Sequence, residues 1–371
     1  METQAPQVTL GETTQEIWGL SLQAAGCPPC GQVHLLPGEM RGQICPNCAG
    51  AEMQPQPAPL RREPPEKMLP FQVQQAALQA IFGQFARGVW LRPNELNPET
   101  LLQRAVPVYV PMWLVDSDLD GSWQAEMGFD YQVKSSQEMY AGGNWQTREK
   151  IETRVRWEPR LGQVQIHYDN AAVPALSNHQ QIRAQVGAYK LASARPYDPR
   201  QVGSAALRVP DQDTGQAWPQ ARDALEAHLS GDCLQAAGAQ HLRRFTTRID
   251  YRGQNWTQLL LPLYFSWYRD DDGVRRPVYV NGQSGQIGGV RLASQRKGWQ
   301  WAGITAAVAV AIFLLALLGF ALAAIFPPAA VVGAVLALIA LLVGVGAIVP
   351  AVWPWQWNRR QVGVKVRETG G

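Results

Sequence analysis

GITAAVAVAIFLLALLGFALAAIF (Gly303–Phe326), Pro327-Pro328, and AAVVGAVLALIALLVGVGAIVPAV (Ala329–Val352) decide the architecture. From Gly298 to Asn358 there is no Asp, Glu, Lys or Arg. Each apolar run holds about 24 residues. A helix of that length spans roughly 36 Å, against a hydrocarbon core about 30 Å thick. Two consecutive prolines remove backbone donors and force the preceding residue out of the helical region, so they mark a tight turn between antiparallel helices. A transmembrane hairpin over residues 301–353 is expected, because neither run has the polar face of a soluble core helix. Trp299, Trp301, Trp353, Trp355 and Trp357 cluster at the open end, the level that indole rings favour at a membrane–water interface. Pro350 is placed to kink or end the second helix.

Arg291, Arg296 and Lys297 precede the first run, Arg359, Arg360, Lys365 and Arg367 follow the second, and the turn is uncharged. Positive-inside bias then puts both ends of the hairpin, the basic tail 354–371 and the preceding 300 residues in the cytoplasm, at the inner membrane. Neither run carries an ionisable group, which argues against an ion or proton path. The hairpin reads as an anchor, with Gly333, Ala337, Gly344 and Gly346 available for close helix packing.

The rest of the 371 residues leaves room for a small module and one or two ordinary domains. The 33 Lys and Arg residues are scattered and the net charge is only +3, so no basic block points to nucleic acid. Met1–Gln23 has no basic residue and no apolar core, which excludes a secretory signal there; residues 1–20 are expected to be disordered.

Cys27-Pro28-Pro29-Cys30 and Cys45-Pro46-Asn47-Cys48 are two C-x-x-C pairs at zinc-ribbon separation. Two residues between thiolates let both sulfurs of a tight turn reach one ion. Proline stiffens each turn, and Gly31 lets backbone N–H groups approach sulfur. Val33–Leu36 and Gln43-Ile44 would form the short strands carrying the turns. The expectation is a zinc ribbon over 21–50 with Zn2+ held by Cys27, Cys30, Cys45 and Cys48. Such a site is closed, hence structural, and supplies the folding energy that a module this small lacks. His34 is expected to be a strand residue, not a ligand. Residues 51–67 hold Pro55, Pro57, Pro59, Pro64 and Pro65 and predict an extended, semi-rigid linker.

The middle domain, 68–295, is expected to be α+β with a mostly antiparallel sheet. A helix with Val73, Ala77, Ile81 and Phe85 on one face should stop near Gly88, and a short one should open at Pro98. Strand-like stretches are Val106–Val115, Ser122–Val133, Thr147–Trp157, Gln163–Tyr168, Arg243–Tyr251, Thr257–Trp267 and Arg276–Val280, with Ala217–His228 helical. Pro107 and Pro111 restrict the first strand to an edge or a bulge. Asp270–Gly273, Asn281-Gly282 and Ser284-Gly285 predict turns. Pro107-Val108-Tyr109 with Trp113 is echoed by Pro262-Leu263-Tyr264 with Trp267. Cys233 reads as a small buried thiol.

Leu69-Pro70-Phe71, Pro107–Trp113 and Tyr279–Gly285, between an N-terminal zinc ribbon and C-terminal membrane helices, together resemble a bacterial membrane-anchored zinc-ribbon family. Its members carry the labels transcription-factor-IIB-type zinc ribbon or primosomal, helicase-like. Some are similar to membrane proteins that recruit phage-shock-protein-A-type coat proteins in envelope stress. The resemblance suggests a protein partner at the cytoplasmic face, and no catalytic residue carries over from it. Many ribbons have Gly after the last Cys; here Ala49 stands there, and Gly50 is expected to take that part.

Asp116–Gly121 opens like a calcium loop, but Met127 occupies the position that needs Glu, and a polar turn between strands is expected. There is no phosphate-binding G-x-x-x-x-G-K-[ST], and Gly282–Gly285 around Ser284 is not a nucleophile elbow. His167, His179 and His228 are dispersed. No catalytic or organic-cofactor residue is expected. The reading is a non-enzymatic membrane-anchored adaptor, with a membrane-tethered nucleic-acid binder as the alternative.

Overall fold

The computed structural model describes the chain except residues 1–6, 11–14, 38–41, 62, 142–143 and 369–371. It is α+β, with a large mixed sheet, a cysteine cluster near the N-terminus and two long apolar helical segments at the C-terminus.

The N-terminal part is a run of short strands: β1 (Gln7–Leu10), β2 (Gln15–Ile17), β3 (Leu20–Gly26), β4 (Val33–Pro37), β5 (Gln54–Pro55), β6 (Ala58–Arg61) and β7 (Lys67–Met68). Of the segment expected to be disordered, residues 1–6 and 11–14 lie outside the described residues, whereas β1 pairs with β6 and β2 with β3. The β2–β3 turn places Trp18 and Gly19 at φ 51° and 78°, the doubly left-handed backbone of a tight hairpin. The Asn-Gly signature that would announce such a turn is absent. The expected linker is not a spacer either. Pro55 and Pro59 sit in β5 and β6, which add to β3 and β1 as edge strands, where a missing N–H costs least. Met53 and Leu60 within it are buried.

Helices α1 (Gln75–Arg87) and α2 (Pro98–Gln103) follow. Helix α1 ends at Gly88 as predicted, but it buries Leu78, Phe82, Phe85 and Ala86 and exposes Ala77. The burying face is the one with the larger side chains, turned from the one expected. Three long strands dominate the sheet: β8 (Val106–Ala141), β9 (Asn144–Pro174) and β12 (His241–Arg269). Each merges segments that the sequence presents as separate. Between β9 and β12 come α3 (His179–Val186), β10 (Arg195–Pro196), α4 (Pro199–Val202), β11 (Ala206–Arg208) and α5 (Thr214–Ala236). After β12 come β13 (Arg275–Asn281) and β14 (Ile287–Gly289). The sheet path runs β10-β7-β12-β8-β11-β4-β3-β2, with β9 beside β8, and β13 and β14 beyond β12.

The acidic stretch Asp116–Gly121 is therefore strand, not a turn. A register shift sits between Val115 and Ser117, and Asp116 fills it by accepting the Asn170 N–H at 2.7 Å and the Asn255 amide at 3.2 Å. Pro107 and Pro111 lie on a central strand, not an edge. They are tolerated because β11 pairs with β8 only at Val108 and Tyr109, and β9 begins at Met112, so neither proline faces a partner residue there. The two echoing motifs are neighbours, with Tyr109 opposite Pro262 and Pro107 opposite Tyr264. Phe71 packs on both tyrosine rings, at 5.1 and 4.7 Å. Helix α5 buries Ala217, Ala221, Leu225, Leu229 and Cys233, a stripe of spacing four that closes the base of the three-stranded arm.

The apolar C-terminus forms α6 (Gln295–Leu322), α7 (Ala329–Gly346) and α8 (Ile348–Glu368). Two helical segments, Gln295–Leu322 and Ala329–Gln361, are long and apolar enough to span a membrane. Only 11% and 17% of their most apolar windows are buried, so the aliphatic side chains face outward. The break before α8 falls at Ala347. Pro350 removes the donor that Gly346 would receive. Gly319 and Gly333 meet where α6 and α7 cross: a Cβ on Gly333 would lie 3.0 Å from the Ala316 carbonyl. Gly346, by contrast, has open space around it. Gly333→Leu is expected to force the helices apart. A disulfide engineered between them near the crossing should form at least about tenfold more slowly, as overpacking of 1–3 kcal/mol implies; unchanged cross-linking would contradict the contact.

Two of the five rim tryptophans have another role. Trp353 and Trp357 pack into the core cluster of α1, α2 and β13. Trp353 lies 5.2 Å from Trp90, and Trp357 donates to the Arg291 carbonyl at 2.6 Å. Asn358 exchanges hydrogen bonds with the Ala293 backbone. The domain is thus docked onto the helical pair rather than strung from it.

Candidate metal centre

Two chain reversals build the site. Gly31 N–H donates to the Cys27 carbonyl at 2.8 Å, and Ala49 N–H to the Cys45 carbonyl at 3.0 Å. Gly31 and Ala49 have φ of 69° and 57°. Ala49 itself therefore takes the left-handed position, at a cost of about 1–2 kcal/mol, and Gly50 does not replace it. Gly50 instead donates its N–H to Cys48 Sγ at 3.2 Å. The four sulfurs of Cys27, Cys30, Cys45 and Cys48 lie within 4.8 Å of one another, with Cys27–Cys48 at 3.6 Å and Cys30–Cys45 at 3.8 Å. Tetrahedral bonds of about 2.3 Å to sulfur require separations of about 3.8 Å, so the cluster could hold one metal ion. Among the described residues no other His, Cys, Asp and Glu side chains converge in this way.

The thiols are electrostatically unequal. Hydrogen bonds with Cys45 and Cys48 hold Cys30 far below the usual thiol range, while those with Cys30 and Cys48 push Cys45 up. Burial pushes Cys27 up to about 11. Loading a divalent ion removes the protons from all four.

Side chains distant in sequence surround the sulfurs. Asn47 donates its backbone N–H to Cys45 Sγ and its amide to Cys30 Sγ. Its Oδ1 accepts from Arg208 Nη1 and from the Asn178 amide, both at 2.9 Å, and Tyr279 donates its hydroxyl to the Asn47 carbonyl. Arg208 is 3% exposed. Its other bonds go to the neutral amides Gln32 and Asn178, and Asp211 approaches only to 4.0 Å. A buried guanidinium without a close carboxylate is costly unless negative charge lies nearby. A divalent ion in four thiolates carries a net charge of −2, and its nearest hydrogen-bonded bridge, Asn47, leads to Arg208. Neither Asn47 nor Arg208 stands out in sequence.

The cluster belongs to the domain. Strand β4 pairs with β11, setting His34 opposite Arg208, and Cys27 and Cys45 share a core with Val106, Leu259 and Tyr279. Arg41, the one basic residue of this segment, lies outside the described residues. His34 is a strand residue. It is fully buried, and both ring nitrogens lack hydrogen-bond partners. Burial, reinforced by the Arg208 charge, pushes its pKa down to about 3. Between pH 6.5 and 3 the unfolded chain binds a proton at this residue that the folded chain does not, so stability falls as pH drops through that window. His34→Leu is expected to stabilise the protein at pH 8 by removing unpaired polar atoms. The gain should grow by about 2 kcal/mol at pH 5, read from chemical denaturation at both pH values; a constant gain would refute the buried neutral imidazole.

His167, His228 and Ser284 join no second metal-type cluster among the described residues. His167 bridges Asp118 and Asp169 at 2.7 and 3.1 Å on the exposed arm, so Asp116, Asp118 and Asp120 are spread along a strand and engaged separately. His228 packs on Tyr168. The Ser284 hydroxyl accepts the Gln286 N–H.

No protein-family model matches the chain, and no curated protein or solved structure matches it either.

Proposed function

We propose that the chain is a non-enzymatic membrane-anchored adaptor with a structural zinc ion at Cys27, Cys30, Cys45 and Cys48. Helices α6 to α8 anchor it in the inner membrane with both termini cytoplasmic, and the arm of β8, β9 and β12 presents a surface to protein partners. Envelope stress or membrane maintenance is the setting implied by the family resemblance. Four thiolates with no open position suit a structural ion.

The arm carries this reading. Strand β12 pairs with β8 only as far as Gly128, so the β8–β9 hairpin continues beyond it as two strands. Between residues 129 and 161 no described side chain is buried, and Tyr131, Ile151 and Leu161 are 46%, 57% and 85% exposed. A two-stranded hairpin is marginal in water by itself and gains stability from whatever docks on it. Five of its arginines are already matched: Arg154 to Glu152, Arg156 and Arg160 to Glu158, and Arg243 and Arg244 to Glu126. That leaves little free positive charge to neutralise phosphates.

Photo-crosslinkers at Tyr131 and Leu161 of the full chain in cells test the proposal. Discrete protein adducts at both positions, absent from a crosslinker at Leu314, are expected. Absence of adducts, together with a low-micromolar and strongly salt-dependent DNA complex, would favour the nucleic-acid reading. A cysteine beside Pro327 should react with an impermeant reagent from outside; reaction of tags at both termini instead would overturn the topology.

A further inference from the structure

Between α3 and α5, over the face of β8 and β9, lies a cavity of about 630 Å³, within the range of small-molecule sites. Val110, Met112, Leu176, Ile182 and Leu261 make its floor apolar. Tyr189 adds its ring, because its hydroxyl is tied to the Pro262 carbonyl at 2.9 Å. Two buried polar atoms on the lining have no hydrogen-bond partner: His179 Nδ1 and Gln212 Oε1. His179 is only 7% exposed, and its Nδ1 meets a ligand head once the ring turns toward the cavity, which relieves a standing cost. Gln212 carries a carboxamide, which offers an acceptor or, by rotation, a donor.

Charge is segregated across the opening. Arg183 lies one helical turn from His179 on α3, and no carboxylate pairs with it among the described residues. Asp223 stands on the α5 wall. An anionic head is therefore favoured at the α3 wall and opposed at the α5 wall.

We propose that this cavity binds a small amphiphile with one carboxylate head, held by His179 and Arg183, and an aliphatic body lying on the floor of β8, β9 and α3. This site uses no cysteine, adjoins the metal centre only through Asn178 beside His179, and does not depend on the adaptor reading.

The test uses the full chain in lipid nanodiscs with a diazirine-tagged decanoate as probe, and decanoate, decanol and decylamine as competitors. Photolabelling is expected in the peptide from His179 to Leu191, displaced at least about tenfold better by decanoate than by the amine, the scale of one charge-assisted hydrogen bond. Ala188→Trp, at an exposed lining position, should block labelling, and Arg183→Glu should weaken it about tenfold, both with metal content and circular dichroism unchanged. Labelling confined to α6–α8, labelling indifferent to both substitutions, or better competition by decylamine would each overturn the proposal.

Discussion

Stripping the metal from the full chain is expected to unfold the β3–β4 strands together with part of the sheet core. Cys27 and Cys45 are 1% and 0% exposed and lie in one core with Leu36, Val106, Leu259 and Tyr279. Structural zinc in small thiolate sites is worth about 10–16 kcal/mol, as much as the whole stability of an ordinary domain, about 5–15 kcal/mol. The purified protein should carry one zinc per chain, and chelation or Cys45→Ser should lower the melting temperature sharply. Hydrogen exchange should then accelerate at Leu259–Phe265 as well as at residues 21–37. A metal-free protein that melts like the native one, with faster exchange confined to residues 21–50, would mean a separate ribbon and a centre of little energetic weight.

The second large effect is expected at Arg208. Arg208→Met removes a buried cation bridged to the sulfurs, leaves Gln32 and Asn178 with unused acceptors, and takes one of two donors from Asn47 Oδ1. Loss of such an outer partner typically weakens metal binding about 10–100-fold, measurable by competition with a chromogenic chelator. The sign should reverse once the metal is gone. Without the thiolate dianion, Arg208 is a buried charge lacking its main compensation, a situation that costs about 3–5 kcal/mol. Metal-free Arg208→Met should therefore be more stable than metal-free wild type, while the loaded variant is less stable than loaded wild type. Equal shifts in both states would show that Arg208 merely packs. Arg208→Lys should recover little, because an ammonium cannot make the forked contacts to Gln32, Asn47 and Asn178.

Several features were legible along the chain because the physics that makes them is local. A charge-free window of bilayer length, a Pro-Pro turn, two C-x-x-C turns and the Asp270–Gly273 and Asn281-Gly282 turns depend on neighbours a few residues apart. The convergence of the four cysteines, the helical pair and the end of α1 at Gly88 followed from such patterns. Other features needed the fold. Asp116–Gly121 has the composition of a turn, yet pairing with β9 and β12 on both sides, interrupted only by bulges at Asp116 and Ser117, holds it as strand. Pro55 and Pro59 of the expected linker found edge positions on strands that sequence patterning does not reveal. Arg208 reaches Asn47 across 161 residues, and Trp357 caps the backbone at Arg291 across 66. Periodicity reports which face of an element is apolar. It carries no record of which distant polar group meets a buried one, and that meeting, settled only when the strands close into one sheet, joins the cysteine cluster to the domain and the domain to its helices.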